Sequence, residues 1–351
     1  MLRSFPRLAL FAAALALAAC DSGGLTDPVD PADPDGGGGV VMQSVTAYPV
    51  QLDSLWGFMD AEGRLTVEPR FDAAGEVYGG LSAVRQGAAW GYARPNGALA
   101  VAPQYVAALR FTGALAPVRT DAGWGFIDAA GTEVVAPSYD NAQEMSDGLA
   151  AVREGFLWGY IDATGTVAVD PQFAAAGAFV EGLAPVQTAD GWQYIDPTGA
   201  PAFTSVFAEA LPFSDVGLAP VREEGSDAWK YIDRTGAIRL NTAYERALPF
   251  TEGYARIEQD GRTGWIGTDG AFLVVPKMAE AGPFSEGLAA VRFNGRWTYI
   301  TRADGLVLMS PTYSSAGPFR GGLAQITTGS GDDTETGYID TSGRTVWEPS
   351  R

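Results

Sequence analysis

The chain contains no histidine and only one cysteine, Cys20, among its 351 residues. Without histidine, metal sites that use imidazole are excluded, as is catalysis in which histidine activates a serine or cysteine nucleophile. One cysteine cannot form a disulfide within the chain, and it cannot build a zinc site from several thiolates. We therefore predict no catalytic residue, no metal site and no cofactor.

Basic residues are also scarce. There are 23 lysines and arginines against 42 aspartates and glutamates, which gives a formal net charge of -19. A chain this acidic repels the phosphates of DNA and RNA, so nucleic acid is not an expected partner. The 45 glycines and 22 prolines, together with many valines and aromatic residues, favour strands joined by frequent turns. We expect an all-β fold.

The apolar run near the N-terminus, Leu8 to Ala19, is too short to cross a bilayer, but its length suits the apolar region of a signal peptide. The basic residues Arg3 and Arg7 precede it. It ends in "LAAC", which resembles the lipobox of bacterial lipoproteins, in which the cysteine is lipidated and becomes the new N-terminus. We therefore predict a signal peptide over residues 1–19 and a lipidated Cys20.

Residues 20–44 are rich in aspartate, proline and glycine. Such a segment cannot bury enough apolar surface to fold, so we predict a flexible acidic tether followed by a β domain over residues 45–351. Several acyl chains on one residue anchor a protein firmly, whereas one chain alone binds a membrane only marginally. The predicted location is the bacterial cell envelope, with the protein a monomer anchored to a membrane by its lipid after secretion.

Internal repetition dominates the predicted domain. The phrase "WGYIDATG" at Trp158 has close relatives 34 residues apart over the first five copies, and seven copies keep their tryptophan: Trp56, Trp90, Trp124, Trp158, Trp192, Trp229 and Trp297. Two further copies carry Thr263 and Thr336 at this position. A second element, of the type "GLAAVREG", precedes each phrase. The pattern predicts nine β-meander modules of about 34 residues, with the tryptophans in the structural core.

A glycine recurs at one position of all nine phrases, and an aspartate such as Asp162 stands three residues before it in six of them. This spacing suits a hairpin in which aspartate opens a type I turn and glycine takes a left-handed conformation. The predicted turn glycines are Gly63, Gly97, Gly131, Gly165, Gly199, Gly236, Gly270, Gly305 and Gly343. Asp162 is therefore interpreted as part of a turn and not as part of a site.

Tandem "WGYID..G" phrases at this spacing resemble the WG-repeat family of bacterial proteins, and the resemblance covers roughly residues 47–349. It implies an all-β repeat array used for binding, with no established catalytic residues to transfer. Gln193, Lys230 and Thr298 depart from the glycine that follows the tryptophan. The modules can stack into an open superhelical array or close into a propeller-like ring. Nine modules with a weak fourth strand favour the open array.

The expected function is that of a non-catalytic scaffold, which presents a repeated surface to an envelope protein or glycan. Recognition is expected where acidic insertions interrupt the repeat, at Glu223, Glu224, Asp227, Asp332, Asp333 and Glu335. A glycan-cleaving enzyme that uses two carboxylates is one alternative, because this chemistry needs neither histidine nor cysteine. A purely structural envelope spacer is the other.

Overall fold

The computed structural model describes residues 47–303 and 312–350. The predicted signal peptide, the lipidated Cys20, the tether and Gly305 lie outside these residues. Of Asp332 only the backbone is described. The described residues form nine antiparallel sheets, which follow one another along the chain and which we call blades 1 to 9.

The strands of blades 1 to 3 each follow the meander order of the chain. Blade 1 has three strands, β1 (Tyr48–Leu52), β2 (Leu55–Met59) and β3 (Leu65–Phe71). Blade 2 has β4 (Ala73–Ala74), β5 (Ser82–Gln86), β6 (Ala89–Ala93) and β7 (Leu99–Tyr105). Blade 3 has β8 (Ala107–Ala108), β9 (Leu115–Thr120), β10 (Gly123–Asp128) and β11 (Glu133–Tyr139).

Blades 4 to 6 repeat this arrangement. Blade 4 has β12 (Asn141–Ser146), β13 (Leu149–Glu154), β14 (Leu157–Asp162) and β15 (Val167–Phe173). Blade 5 has β16 (Ala175–Ala176), β17 (Ala184–Thr188) and β18 (Gly191–Ile195), with single bridges to Pro201 and Phe207 where other blades have a fourth strand. Blade 6 has β19 (Glu209–Ala210), β20 (Leu218–Arg222), β21 (Trp229–Asp233) and β22 (Ile238–Tyr244).

The last three blades complete the array. Blade 7 has β23 (Arg246–Thr251), β24 (Tyr254–Gln259), β25 (Arg262–Gly267) and β26 (Phe272–Met278). Blade 8 has β27 (Glu280–Ser285), β28 (Leu288–Phe293) and β29 (Arg296–Thr301). Blade 9 has β30 (Ser315–Arg320), β31 (Leu323–Thr328), a short 3-10 helix (Gly331–Asp333), β32 (Glu335–Asp340) and β33 (Thr345–Ser350).

The weak fourth strand of the sequence pattern belongs to the blade that follows it. The "YxxAxxF" segment after each tryptophan phrase leads into the first strand of the next sheet, as β12 does when it pairs with β13. Several of these strands are only two residues long, which explains why their sequence signal is faint. Each blade therefore has up to four strands, the number expected for a propeller blade.

Apolar clusters fill the spaces between consecutive blades. Within the described residues there are nine such clusters, and each combines side chains from two neighbouring blades. One cluster joins Tyr160 and Phe173 of blade 4 to Phe179 and Val186 of blade 5. The ninth joins Tyr48 and Val50 of blade 1 to Leu323 and Tyr338 of blade 9, so the array closes on itself.

The open superhelical array favoured by the sequence is therefore wrong, and the alternative, a closed propeller-like ring of nine blades, is the observed fold. Its physical basis is a contact that repeats around the ring. The hydroxyl of Tyr160 in blade 4 donates to the carbonyl oxygen of Gly177 in blade 5 at 2.7 Å. In the same way, Tyr338 of blade 9 donates to the carbonyl oxygen of Pro49 in blade 1 at 2.9 Å. No end of the β domain is left to be capped.

The glycine of the "WG" phrase is required by the strand beside it. A Cβ on Gly159 would lie 2.4 Å from the carbonyl oxygen of Val169 and 2.6 Å from the nitrogen of Pro171. The fourth strand approaches this closely because its pairing with the third strand is irregular, as the register shifts between β14 and β15 show. Blades 5 and 6 have Gln193 and Lys230 instead, and at the position of Pro171 they have Ser205 and Thr242.

The turn glycines adopt the predicted left-handed conformation wherever they are described. Gly165, for example, has φ +82, and a Cβ there would lie 2.6 Å from Cγ2 of Val135 in the preceding blade. Gly63 of blade 1 faces Val346 of blade 9 in the same manner. Gly63 and Gly165 thus each meet two demands, a positive φ and close contact with the neighbouring blade.

Replacement of Gly165 by valine should lower the free energy of unfolding by about 2 kcal/mol or more, because a β-branched residue is strained at positive φ and collides with Val135. Thermal melts measure this loss. Asp162→Asn is the control and should change stability by less than about 0.5 kcal/mol, because the amide oxygen accepts the same backbone hydrogen bonds. A large loss for the control would contradict the role assigned to Asp162 in the turn.

Closure of the ring predicts a cost for Tyr338→Phe. The carbonyl oxygen of Pro49 would lose its buried donor, so the free energy of unfolding should fall by about 1 to 3 kcal/mol. Tyr160→Phe removes the equivalent contact inside the array and should cost a similar amount in chemical denaturation. If blade 9 were an open end, Tyr338→Phe would cost much less than Tyr160→Phe.

Candidate binding face of the ring

The turns of each blade are distributed over two faces of the ring. Since successive strands are antiparallel, the turn between the first and second strands and the turn between the third and fourth strands lie at the same end of a four-stranded blade. We call these the inner and outer turns, and we call the face that carries them the linked face. The three strands of blade 1 correspond to the second, third and fourth strands of this pattern. The turns between the second and third strands lie on the opposite face.

The names inner and outer follow from a contact that spans blade 1. Arg320, at the end of the first strand of blade 9, lies 3.4 Å from the carboxylate of Glu76 in blade 2 and contacts the hydroxyl of Tyr78. Side chains of blades 9 and 2 can meet only near the axis of the ring. The first strands and the turns that follow them are therefore innermost.

The aspartates of the outer turns accept hydrogen bonds from groups of the same turn. In blade 4, Oδ1 of Asp162 accepts hydrogen bonds from the backbone N–H of Thr164 at 2.8 Å and of Thr166 at 3.0 Å, and from the Thr164 hydroxyl. These donors, with the hydroxyl of Thr164 first, lower the pKa of Asp162 below its usual value. A hydroxyl is likewise the first cause of the lowered pKa at Asp196, Asp233 and Asp340. At Asp60 and Asp128 the pKa is lowered first by a backbone N–H, that of Arg64 and of Thr132. The carboxylates are thus stabilised as anions by the turn itself.

The inner turns contain acidic residues that the sequence reasoning did not single out. Asp147, Glu181, Glu252 and Glu286 all have φ near +50 and precede a glycine with positive φ. A left-handed conformation is uncommon for such residues and costs free energy, so a compensating interaction is expected. In these four blades an aspartate or glutamate directly precedes the first glycine of the "GLAAV" element. This recurrence is the sequence signal that could have identified them.

The compensating interaction is a hydrogen bond to the next blade. The carboxylate of Asp147 accepts the N–H of Gly182 at 2.9 Å. The carboxylate of Glu252 accepts the N–H groups of Glu286 and Gly287, and that of Glu286 accepts those of Gly321 and Gly322. A carboxylate that accepts backbone N–H groups makes charge-assisted hydrogen bonds, which are stronger than neutral ones. Asp147, Glu252 and Glu286 therefore each fix the turn of the following blade.

Arginines make the links at other seams. Arg234 of blade 6 contacts the Glu181 carboxylate of blade 5 at 3.2 Å. Arg110 of blade 3 pairs with Glu144 of blade 4 at 2.9 Å, and its guanidinium lies 4.9 Å from the ring centre of Tyr78 in blade 2. The guanidinium of Arg320 lies 5.6 Å from the centre of the same ring. The ring of Tyr78 therefore makes cation–π contacts with arginines of blades 3 and 9.

The predicted core tryptophans occupy two kinds of environment. Trp56 and Trp229 are buried, with 6% and 9% of their surface exposed. The other five are half-buried: Trp90, Trp124, Trp158, Trp192 and Trp297. All of these except Trp90 pack against the clusters between blades. Arg85 and Arg153 stack on Trp90 and Trp158, with 5.8 and 5.7 Å between guanidinium and ring centre. Strand pairing places Thr263 at the tryptophan position and buries Trp265 at the tyrosine position.

The predicted recognition loops lie on the opposite face and are not brought together, since one belongs to blade 6 and the other to blade 9. Glu223 pairs with Lys230 at 2.5 Å, whereas Glu224 and Asp227 are exposed. Asp333 ends the short 3-10 helix, and Glu335 begins β32. No group of three acidic, cysteine or histidine side chains suited to a metal ion occurs among the described residues.

The closed ring of nine antiparallel sheets defines the class of protein, a β-propeller. The chain is similar to a eukaryotic initiation factor, with a TM-score of 0.64, 12% identity, and 86% of this chain and 94% of that chain covered. AztD from Citrobacter koseri is also similar, with a TM-score of 0.42, 12% identity, and coverage of 85% and 92%. At such identities the likeness concerns the fold alone. No curated protein matches the chain in sequence.

The family model "WG containing repeat" matches residues 56–88, 90–122, 124–155, 158–192, 229–262 and 264–297, more than half of the chain. The chain therefore belongs to the WG-repeat family, as its phrases indicated. A repeat β-propeller of this kind suggests a binding or scaffold domain. Between residues 47 and 303 and between 312 and 350, no helix has the length and apolar character to cross a membrane.

The outer turns predict a dependence of stability on acid. The hydroxyl of Ser342, followed by Arg344 and backbone N–H groups, lowers the pKa of Asp340 to about 2. Because the pKa is lower in the folded than in the unfolded state, this stabilisation is present above about pH 4. It is lost as the pH falls towards the folded pKa of about 2.

Thermal melts of Asp340→Asn and the unmodified protein should therefore differ most at about pH 6 and converge as the pH falls to about 2. The reason is that only the unmodified side chain gains a proton in this range. A difference in melting temperature that stayed constant over the range would contradict the lowered pKa of Asp340.

Proposed function

We propose that this chain is a non-catalytic lipoprotein of the bacterial cell envelope, whose propeller acts as a binding or scaffold surface for a protein or a glycan. The observation that carries the proposal is the set of hydrogen bonds made by the acidic residues that recur from blade to blade. The aspartates of the outer turns and three acidic residues of the inner turns, Asp147, Glu252 and Glu286, are engaged with backbone groups of the same or the next blade. Positions that depart from the repeat are then available for recognition, because the fold does not require them.

The lipid anchor and the location rest on the sequence. The basic start, the short apolar run and the small residues before Cys20 occur together, as in a lipoprotein signal peptide. The acidic, glycine-rich residues 20–44 would separate the ring from the membrane surface. The partner surface is expected to be neutral or cationic, since the chain carries a net charge of -19.

The absence of catalysis is part of the proposal. The aspartates that recur in the repeat have a structural role in the outer turns, and the chain has no histidine to act as a general base. Incubation with envelope polysaccharides tests this part. Turnover that a single aspartate or glutamate substitution abolishes would replace the binding function by a carboxylate-based hydrolase.

Cross-linking and capture from native envelopes should enrich a protein or glycan with the unmodified chain. The matched variant Cys20→Ala should leave the membrane fraction, because it lacks the lipidated thiol, and should bind the same partner when it is added to isolated envelopes. If neither form enriches any protein or glycan, the binding function fails. If Cys20→Ala remains in the membrane fraction, the lipid anchor fails.

A further inference from the structure

The inner turns of blades 5, 8 and 9 each bind a carboxylate of the preceding blade through backbone N–H groups. In blade 8 the two central residues of the turn, Glu286 and Gly287, have φ +53 and +79. The two oxygens of the Glu252 carboxylate in blade 7 accept their N–H groups. Adjacent N–H groups in such a turn form a concave site for an anion. The inner turn is therefore a receptor for one carboxylate.

A hydroxyl beside the carboxylate makes a second contact at two of these seams. The hydroxyl of Ser146 in blade 4 donates to the carbonyl oxygen of Phe179 in blade 5 at 2.6 Å, and the adjoining Asp147 accepts the N–H of Gly182. Blade 8 joins blade 9 in the same way, with the hydroxyl of Ser285 as donor. The dipeptide that the next blade receives is thus a serine followed by an acidic residue.

The inner turn of blade 2 has the same geometry but receives no such dipeptide from the described part of the chain. Its central residues, Gly79 and Gly80, have φ +57 and +76. The preceding blade 1 has no first strand among the described residues, and hence no inner turn. Within the same residues, no hydrogen bond reaches the N–H groups of Gly79 and Gly80, or the carbonyl oxygen of Val77, which corresponds to that of Phe179.

The place beside the blade 2 turn is open. Gly79 and Gly80 are exposed, and a Cβ on Gly80 would meet no atom within 4 Å. The turns of blades 4 and 7 also lack a carboxylate from the preceding blade within the described residues, but blades 3 and 6 have inner turns of their own. That of blade 3 contacts blade 4, since the hydroxyl of Thr112 donates to the carbonyl oxygen of Met145 at 2.7 Å. Among the described blades, blade 2 alone follows a blade without an inner turn.

Two arginines lie beside this turn, next to Tyr78. Arg320 of blade 9 reaches past blade 1 to the Tyr78 hydroxyl, and the guanidinium of Arg110 lies 4.9 Å from the centre of the Tyr78 ring. They pair with Glu76 and Glu144, respectively, and offset their charges. A single acidic residue can therefore approach here, although the chain as a whole has a net charge of -19.

We propose that the inner turn of blade 2 binds a segment of a partner protein in which serine or threonine is followed by aspartate or glutamate. The carboxylate of this segment accepts the N–H groups of Gly79 and Gly80, and its hydroxyl donates to the carbonyl oxygen of Val77. The chemistry is that of the seams described above, with the partner in the place of the preceding blade. The proposal rests on the binding function proposed above and names the segment that the ring recognises.

The test uses the full chain with isotope-labelled glycine and a capped peptide, "MSDGLA", which copies residues 145–150 in the inner turn of blade 4. In NMR titrations the N–H signals of Gly79 and Gly80 should move downfield with a Kd of about 1 mM, because a few hydrogen bonds in water give weak binding. The signals of Gly287 and Gly322 should stay in place, since their N–H groups already hold a carboxylate. No movement of Gly79 and Gly80 would overturn the proposal.

Two altered peptides separate the contacts. Asparagine in place of the aspartate should raise the Kd about tenfold, because hydrogen bonds to a charged acceptor are stronger than those to a neutral one. Alanine in place of the serine should raise the Kd about threefold, because the carbonyl oxygen of Val77 then has no donor. Equal binding of the three peptides would contradict recognition of this dipeptide.

Two substitutions of Gly80 differ only in charge. Asparagine and aspartate both tolerate positive φ, and the position has free space around it. Gly80→Asp places a carboxylate beside the incoming one and should raise the Kd of the unaltered peptide at least about tenfold relative to Gly80→Asn. Both variants should keep the melting temperature of the unmodified chain. The same Kd for the two variants would overturn the site.

Capture from native envelopes distinguishes failure of this site from failure of the proposed function. A partner that both Gly80 variants enrich equally would overturn the blade 2 site and leave the binding function in place elsewhere on the ring. A partner that Gly80→Asn enriches and Gly80→Asp does not would support the site.

Discussion

Every blade of this protein has two apolar faces and can bury neither of them alone. A sheet of three or four short strands is only marginally stable in water, so each blade depends on a neighbour at both sides. A linear stack would leave two such faces in water, whereas a ring leaves none. The ninth cluster, formed by blade 9 and blade 1 through Tyr48 and Tyr338, is the result of this constraint.

Much of the ring could be predicted from the sequence because the same demands recur in each copy. The 34-residue step, the turn glycines such as Gly165 and the aspartates such as Asp162 each follow from local geometry. Closure could not be predicted, because it depends on how small rotations between blades add up and on a contact between Tyr338 and Pro49 far apart in the chain. The fourth strand was underestimated because strands such as β8 contain only two residues.

The candidate site was harder to predict for a related reason. The acidic insertions near Glu223 and Asp333 were predicted as recognition loops because they lengthen the repeat. They belong to separate blades and lie on the face opposite the linked face. The acidic residues of the inner turns, such as Asp147 and Glu252, were missed because each accepts its hydrogen bonds from another blade, and this relation is visible only when the blades stand side by side.

In this molecule one chemical group, the carboxylate, stabilises the outer turns and joins neighbouring blades. The inner turns are joined pairwise, so a link can be lost at one seam while the apolar contacts below it remain. Each link joins only two neighbouring blades, so a substitution that removes one of these carboxylates loosens a single seam and leaves the links at the other seams in place.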